Sequence, residues 1–171
     1  MITVRDATPE DLPEITAIYN ALLESTTHEW TEIAHTVAER EQWLSDQRAA
    51  GRPALVAIDS GAVVGWATYG DFRDSERWPG YRYTVEHSIH VREDHWGCGV
   101  GRALVAALVG RARAEGKRVM VAGIDGDNKG SIRFHERLGF FEVGRMPGIG
   151  EKFGRRLDLV LMQLILDEPS A

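Results

Sequence analysis

The chain has 171 residues, 43% of them hydrophobic, a size that suits one packed core and is short for two. A formal net charge of −6 and a pI near 5.5 exclude a protein that holds nucleic acid through nonspecific phosphate contacts. Cys98 is the only cysteine, so no intrachain disulfide forms and nothing in the composition asks for an oxidising compartment.

Basic charge comes from seventeen arginines and three lysines, which suits bidentate recognition of carboxylates and phosphates or reflects overall composition. The first residues, MITVRDATPE, lack a basic stretch followed by an apolar run, and no apolar run is long enough to cross a bilayer. The expectation is a cytoplasmic protein with neither nucleic acid nor membrane as partner.

Ile2 to Asp6 alternates apolar and polar residues, as a half-buried strand does. Thr8-Pro9-Glu10-Asp11 supplies a capping threonine, a proline suited to a first helical position and an acidic residue that completes a capping box. Pro13 makes Asp11 a second candidate cap. Leu12, Ile15, Ile18, Tyr19 and Leu22 recur at helical spacing and predict a helix to about Leu23. Glu24 to Glu32, ESTTHEWTE, is polar and irregular, either a lid or pocket wall or a plain surface connection with Trp30 packed beneath it. A second helix is expected between His35 and Ala50, ended by Gly51 and Pro53. Ala54 to Ile58 and Val63 to Tyr69 then form a hairpin around Asp59-Ser60-Gly61.

Asp71 to Tyr83, DFRDSERWPGYRY, carries three arginines among four aromatic residues and is either a binding wall for a small anion or a solvated loop. Thr84 to Arg92 reads as the central strand, with Val85, Ile89 and Val91 on one face and Thr84, Glu86, Ser88 and His90 on the other. A carboxylate in mid-strand is unusual unless it is paired, solvated in a cleft or functional. His87 and His90 fall on opposite faces and His95 lies past the strand end, so no metal site is expected.

Gly97-Cys98-Gly99-Val100-Gly101-Arg102 opens into a third helix marked by Ala103, Leu104, Ala107, Leu108 and Ala112. Such a turn offers main-chain N–H groups to a phosphate or pyrophosphate. It lacks the Gly-Lys-Ser/Thr of a Walker loop and the third glycine of the dinucleotide fingerprint. Cys98 sits in the turn with no base fixed beside it and reads as a small filler. Arg118 to Ile124 predicts a buried parallel strand that closes a βαβ unit. A short helix over Asn128 to Leu138 closed by Gly139, a strand over Phe140 to Gly144, a glycine-containing loop over Met146 to Phe153 and a last strand over Leu157 to Leu166 complete the chain. Asp167 to Ala171 reads as a tail.

The turn Trp96-Gly97-Cys98-Gly99-Val100-Gly101 resembles the acyl-CoA motif Gln/Arg-x-x-Gly-x-Gly/Ala of the Gcn5-related N-acetyltransferase (GNAT) superfamily, with Trp96 where that family usually has Gln or Arg. Asn128-x-x-Ser131-x-x-Phe134-His135-Glu136-x-Leu138-Gly139-Phe140 is similar to its second cofactor segment. The runs TVEHSIHV, HERLGF and GEKFGRRLDLVLMQ resemble the branch of phosphinothricin, methionine sulfoximine and methionine sulfone N-acetyltransferases. The resemblance implies an α/β GNAT fold in one domain over residues 1–171, with a mixed sheet of about seven strands, about four helices and a splayed central strand. It implies acetylation of the α-amino group of a small amino-acid analogue by acetyl-CoA, in a homodimer, with no metal and with herbicide or antibiotic resistance as an associated trait. A peptide or protein amine acetyltransferase of the same fold, or a noncatalytic acyl-CoA sensor, stays open.

The resemblance also assigns roles. Glu86 matches the acidic residue of TVE and is the candidate base for an ammonium that must lose a proton before it attacks. His135 either donates to the departing sulfur, relays the amine's proton, or is a helix-face histidine satisfied by its neighbours. The cofactor set is Ile89, His90 and Val91 through the strand backbone, Gly97, Cys98, Gly99, Val100, Gly101 and Arg102 in the turn, and Asn128 and Ser131 in the second segment. Asn128 alternatively caps its helix. Phe72, Arg73, Arg82, Thr84, Val85, Glu86 and Lys152 are the substrate set, with an arginine for the amino-acid carboxylate.

Overall fold

The computed structural model describes residues 1–167. Its elements are β1 (Thr3–Asp6), α1 (Leu12–Ser25), α2 (Val37–Ala49), β2 (Ala54–Asp59), β3 (Ala62–Asp71), β4 (Thr84–Val91), α3 (Val100–Ala114), β5 (Val119–Asp125), α4 (Lys129–Arg137), β6 (Phe141–Lys152) and β7 (Arg155–Ile165). The strands form one seven-stranded sheet in the order β1-β2-β3-β4-β5-β7-β6. β4 and β5, joined through α3, are parallel, and every other neighbouring pair is antiparallel.

Each sheet face is covered by the helices whose apolar stripes match it. Leu12, Ile15 and Leu22 of α1 and Leu44 of α2 pack on Val56, Val63 and Trp66. Val100, Leu104 and Leu108 of α3 and Ile132 of α4 pack on the other face with Val85, Met120 and Val160. The start of α1 is fixed as its sequence suggests, with the Thr8 N–H donating to Asp11 Oδ2 at 2.8 Å after a short 3-10 turn.

The late chain differs from the expected loop. Met146 to Lys152 continues β6, a twelve-residue strand that pairs with β7. Its glycines and proline are accommodated because β6 is the edge of the sheet and its register shifts twice, between Glu142 and Gly144 and between Met146 and Gly150.

The segment between α1 and α2 is laid over the sheet and pinned on three sides. The Thr27 hydroxyl bonds to the Asp125 carboxylate at the end of β5. The Trp30 indole lies so close against Gly150 that a side chain there would collide with it. The buried Lys152 ammonium donates to the carbonyls of Leu23 at 2.8 Å and Thr26 at 2.7 Å. Trp30 is packed beneath the segment, as the plain-connection alternative expects, and the segment is also held against the sheet.

Candidate active site

The site is built where the sheet comes apart. The β4–β5 ladder runs Thr84↔Val119, Val85↔Met120 and Glu86↔Val121 and stops, although β4 continues to Val91 and β5 to Asp125. On the other edge β4 stays paired with β3 from Val85 to Val91. The bonds from Phe72 N–H to the Thr84 carbonyl and from Arg92 N–H to the Val64 carbonyl show which residues point each way. Even-numbered residues of β4 direct their main-chain groups to β3, and odd-numbered residues direct theirs to β5. Beyond Glu86 the main-chain groups of Ile89 and the N–H of Val91 therefore face an open gap. The Val91 carbonyl is already taken by the Trp96 indole N–H at 2.8 Å. A ligand carrying amides can add to such an edge as a strand would.

The gap leads to the start of α3. Gly97 and Gly99 have φ of +76° and +87°, a left-handed geometry that only glycine adopts cheaply. Gly99 is the N-cap and provides no side-chain acceptor, and no acidic residue stands in the first turn. The N–H groups of Gly99, Gly101 and Arg102 face outward at the positive end of the helix dipole, and the exposed Arg102 adds a full charge, whereas Val100 is fully buried and the Cys98 N–H donates to the His95 carbonyl at 3.3 Å. Cys98 is exposed, its thiol directed to the Trp96 carbonyl at 3.7 Å. Gap and cradle together fit an extended ligand that bears amides and ends in phosphates.

Glu86 stands at the fork. Its side chain is half-buried, and Oε1 lies 3.3 Å from where a Cβ on Gly123 of β5 would be. Burial raises its pKa above the ordinary carboxylate value, and the charge of Glu29 raises it further. Glu29 comes from the pinned α1–α2 segment and accepts from His90 Nε2 at 2.9 Å. Burial opposes ionisation of Glu29, but this bond and the charges of His90, Arg40 and His28 outweigh it, so its pKa lies below the usual value. A hollow of about 270 Å3 lies between the covering segment, the end of β5 and the start of α4, lined by Thr26, Thr27, His28, Asp125, Asn128 and Phe153 among others, and neither Glu86 nor Glu29 is in its lining. A larger hollow of about 410 Å3, between Arg113, Arg118 and Leu166, touches none of these groups.

Several predicted residues take other places. His90 is an even-numbered residue, so its main chain bonds to β3 while its ring stacks on Trp66 at 4.3 Å. It does not line the gap. Val85 is buried in the core on the α3 face, out of reach of a substrate on the Glu86 face. Thr84 is half-buried at the first turn of the ladder. Lys152 belongs to the α1 anchor, and both of its bonds go to carbonyls of the covering segment.

His135 is also committed. It is 2% exposed, with Nδ1 2.8 Å from the Ser131 carbonyl and Nε2 3.2 Å from Nε2 of His87. A carbonyl only accepts, so Nδ1 of His135 carries hydrogen. Its Nε2 in the neutral ring accepts, and His87 Nε2 is the donor. Burial holds the His87 pKa down to about 3, the charges of His135 and His90 adding to the effect. Burial also lowers the pKa of His135, against the opposing Ser131 bond. The pair is a neutral link between β4 and α4 in which both nitrogens of His135 are partnered, while the buried Nδ1 of His87 has no partner. Asn128 likewise caps α4, accepting from the Ser131 N–H at 2.9 Å.

The aromatic loop holds together through a tilted ring pair and arginines laid over rings. Arg73 is exposed and lies over Phe72 at 5.4 Å, and Phe72 meets Tyr81 at 6.0 Å. Arg82 donates to the Pro79 carbonyl at 2.8 Å and lies over Tyr83 at 4.4 Å. Sequence reasoning did not single out Glu29, which is 61 residues from its partner His90. It also passed over Arg40, buried over the rings of Tyr19, Trp43 and Trp66. Among the described residues no group of three His, Cys, Asp or Glu is placed to hold a metal.

The family model of the acetyltransferase (GNAT) family matches residues 15–140. An L-methionine sulfoximine/L-methionine sulfone acetyltransferase of Pseudomonas aeruginosa is 50% identical, the match covering 96% of this chain and 95% of the relative. An acetyltransferase of Salmonella typhimurium, solved with its cofactor acetyl-CoA, superposes with a TM-score of 0.93 at 44% identity, covering 99% of this chain and 96% of that one. A phosphinothricin acetyltransferase of Sinorhizobium meliloti, also solved with acetyl-CoA, gives 0.91 at 38% identity over 99% and 93%. Two solved structures of this fold thus carry acetyl-CoA, and the chain belongs to the GNAT family of acetyltransferases.

Proposed function

We propose that the chain acetylates the α-amino group of small amino-acid analogues with acetyl-CoA, methionine sulfoximine, methionine sulfone and phosphinothricin being the class in view. The observation that carries this reading is Glu86, a half-buried carboxylate of raised pKa at the fork between β4 and β5. Names of relatives that act on these amines support the substrate class.

When bound, acetyl-CoA supplies the acetyl thioester and leaves as the free thiol. The N–H groups of Gly99, Gly101 and Arg102 would hold its pyrophosphate, and the main-chain groups of Ile89 with the Val91 N–H would hold its amide-bearing arm. Glu86 takes a proton from the substrate ammonium, directly or through water, and so frees the lone pair that attacks. A base of raised pKa suits that transfer better than an ordinary carboxylate, because its conjugate acid is closer in strength to the ammonium. Arg73, exposed beside Phe72, is assigned to the substrate carboxylate.

The same reading makes the enzyme a cytoplasmic homodimer that protects its host from such analogues. Support for the dimer comes from edge strand β6, where Phe141, Val143, Met146 and Ile149 are exposed. Among the described residues no helix is long and apolar enough to cross a membrane.

A thiol-release assay with acetyl-CoA and a panel of methionine sulfoximine, methionine sulfone, phosphinothricin and peptide amines tests the reading. Turnover on the amino-acid analogues and not on peptides is expected. Binding of acetyl-CoA without turnover on any amine would overturn it.

A further inference from the structure

A covering segment normally shields a site with neutral or apolar groups, because a buried charge is costly unless paired. Here the segment between α1 and α2 carries Glu29 down onto the face of β4 that also bears Glu86. One carboxylate oxygen is fixed at 2.9 Å from His90 Nε2, whose ring is 3% exposed and stacked on Trp66. The side chain of Glu29 is 33% exposed, so its carboxylate keeps contact with solvent on this face. The segment cannot easily swing this charge away, since Thr27, Trp30 and the bonds made by Lys152 pin it to β5 and β6.

Resting on the acetyltransferase reading above, we propose that Glu29 sets substrate choice by charge, favouring amino acids with a neutral side chain over those with an anionic one. Two carboxylates, Glu86 and Glu29, then flank the place of the incoming amine. Both attract its ammonium form, and Glu29 repels a second negative group carried on the substrate. Methionine sulfone and sulfoximine have neutral side chains at neutral pH, whereas phosphinothricin carries an ionised phosphinate.

The cations near Glu29, His90 and the Arg40 buried over Tyr19 and Trp66, hold it ionised and stay in place when its own charge is removed, so Glu29→Gln makes the local field more positive whatever they offset. The Lys152 ammonium is occupied by two carbonyls. His28, on the same segment, is held toward its neutral form by burial, with His90 adding to the effect. The field of Glu29 nevertheless reaches Glu86, where it raises the pKa in the same sense as burial.

The experiment compares kcat/KM for L-methionine sulfone and L-phosphinothricin at saturating acetyl-CoA, in the full-length chain and in Glu29→Gln. The wild-type chain should prefer the sulfone, and Glu29→Gln should move the ratio toward phosphinothricin by about tenfold, as expected for a like charge several ångströms away at a partly exposed site. Where phosphinothricin turns over too slowly to follow, its inhibition constant against sulfone acetylation should fall by a similar factor. A second measurement needs no variant: raising ionic strength should narrow the wild-type preference by screening. Turnover with a ratio that neither the substitution nor salt changes would overturn the role of Glu29 alone. Absence of turnover on both amines in the wild-type chain would overturn the acetyltransferase reading and this inference with it.

Discussion

At the scale of single residues, the site rests on Glu86, and its raised pKa makes a prediction with a sign. In its proposed role as base, Glu86 must be ionised to accept a proton, so kcat/KM should fall on the acid side at a pH above the ordinary carboxylate value. Glu86→Gln should lower kcat by roughly 10²-fold or more and abolish that acid limb, while acetyl-CoA affinity measured by calorimetry stays unchanged. Arg73→Ala should raise KM for the amino-acid substrate about tenfold and leave KM for acetyl-CoA alone, checked by steady-state kinetics with each substrate varied.

His87 gives a stability prediction. Its pKa is about 3 in the folded chain and near 6.5 when unfolded, so between those values the unfolded chain binds a proton that the folded chain refuses. Stability from this group is complete above pH 6.5 and falls by about 1.4 kcal/mol per pH unit as pH drops toward 3. His87→Phe should flatten that fall, at some cost at pH 7 because Nε2 of His135 loses its donor. Urea unfolding at pH 7 and pH 5 would reveal the difference in slope.

At the scale of elements, helix and strand positions were largely legible because strands either alternate, as β4 does, or run continuously apolar, as β2 and β5 do, and helices such as α1 and α3 repeat their apolar residues at the right period. The faces of β4 followed directly, with Glu86 and His90 on one side and Val85 and His87 on the other. Edge strand β6 was not legible: Gly144, Pro147, Gly148 and Gly150 are loop signals, and only an edge with two register shifts tolerates them. Lys152 misled for a related reason. A lysine in an apparent loop suggests a solvent-facing cation, whereas its position at the end of a strand turns the ammonium inward under α1. Lys152→Met should cost about 2 kcal/mol, since it leaves two carbonyls of the covering segment without their charged donor. It should also raise KM for the amine more than for acetyl-CoA. Glu29 was invisible because nothing local marks a contact between a loop carboxylate and a strand histidine so far apart in sequence.

At the scale of the whole molecule, the sheet order leaves β1 and β6 as its edges, and they differ. β1 is a short strand of four residues, whereas β6 is long and shows Phe141, Val143, Met146 and Ile149 to solvent. A long apolar edge is a hazard unless another chain covers it. If the proposed dimer forms through β6, Val143→Lys combined with Ile149→Lys should shift it to monomer in sedimentation velocity with the secondary-structure spectrum retained. A monomer in the wild-type protein would refute the dimer.

The indole of Trp96 has a further effect through its bond to the Val91 carbonyl. An arm that adds to a strand edge by main-chain pairing can in principle slide along it two residues at a time, since the donors and acceptors repeat with that period. By occupying the last acceptor, Trp96 would act as an end stop: an arm pairing here would find one complete set of partners, at Ile89, and an incomplete set beyond. Trp96→Phe, which frees the Val91 carbonyl, should therefore raise KM for acetyl-CoA or lower kcat by letting the arm pair out of register, checked by steady-state kinetics with acetyl-CoA varied.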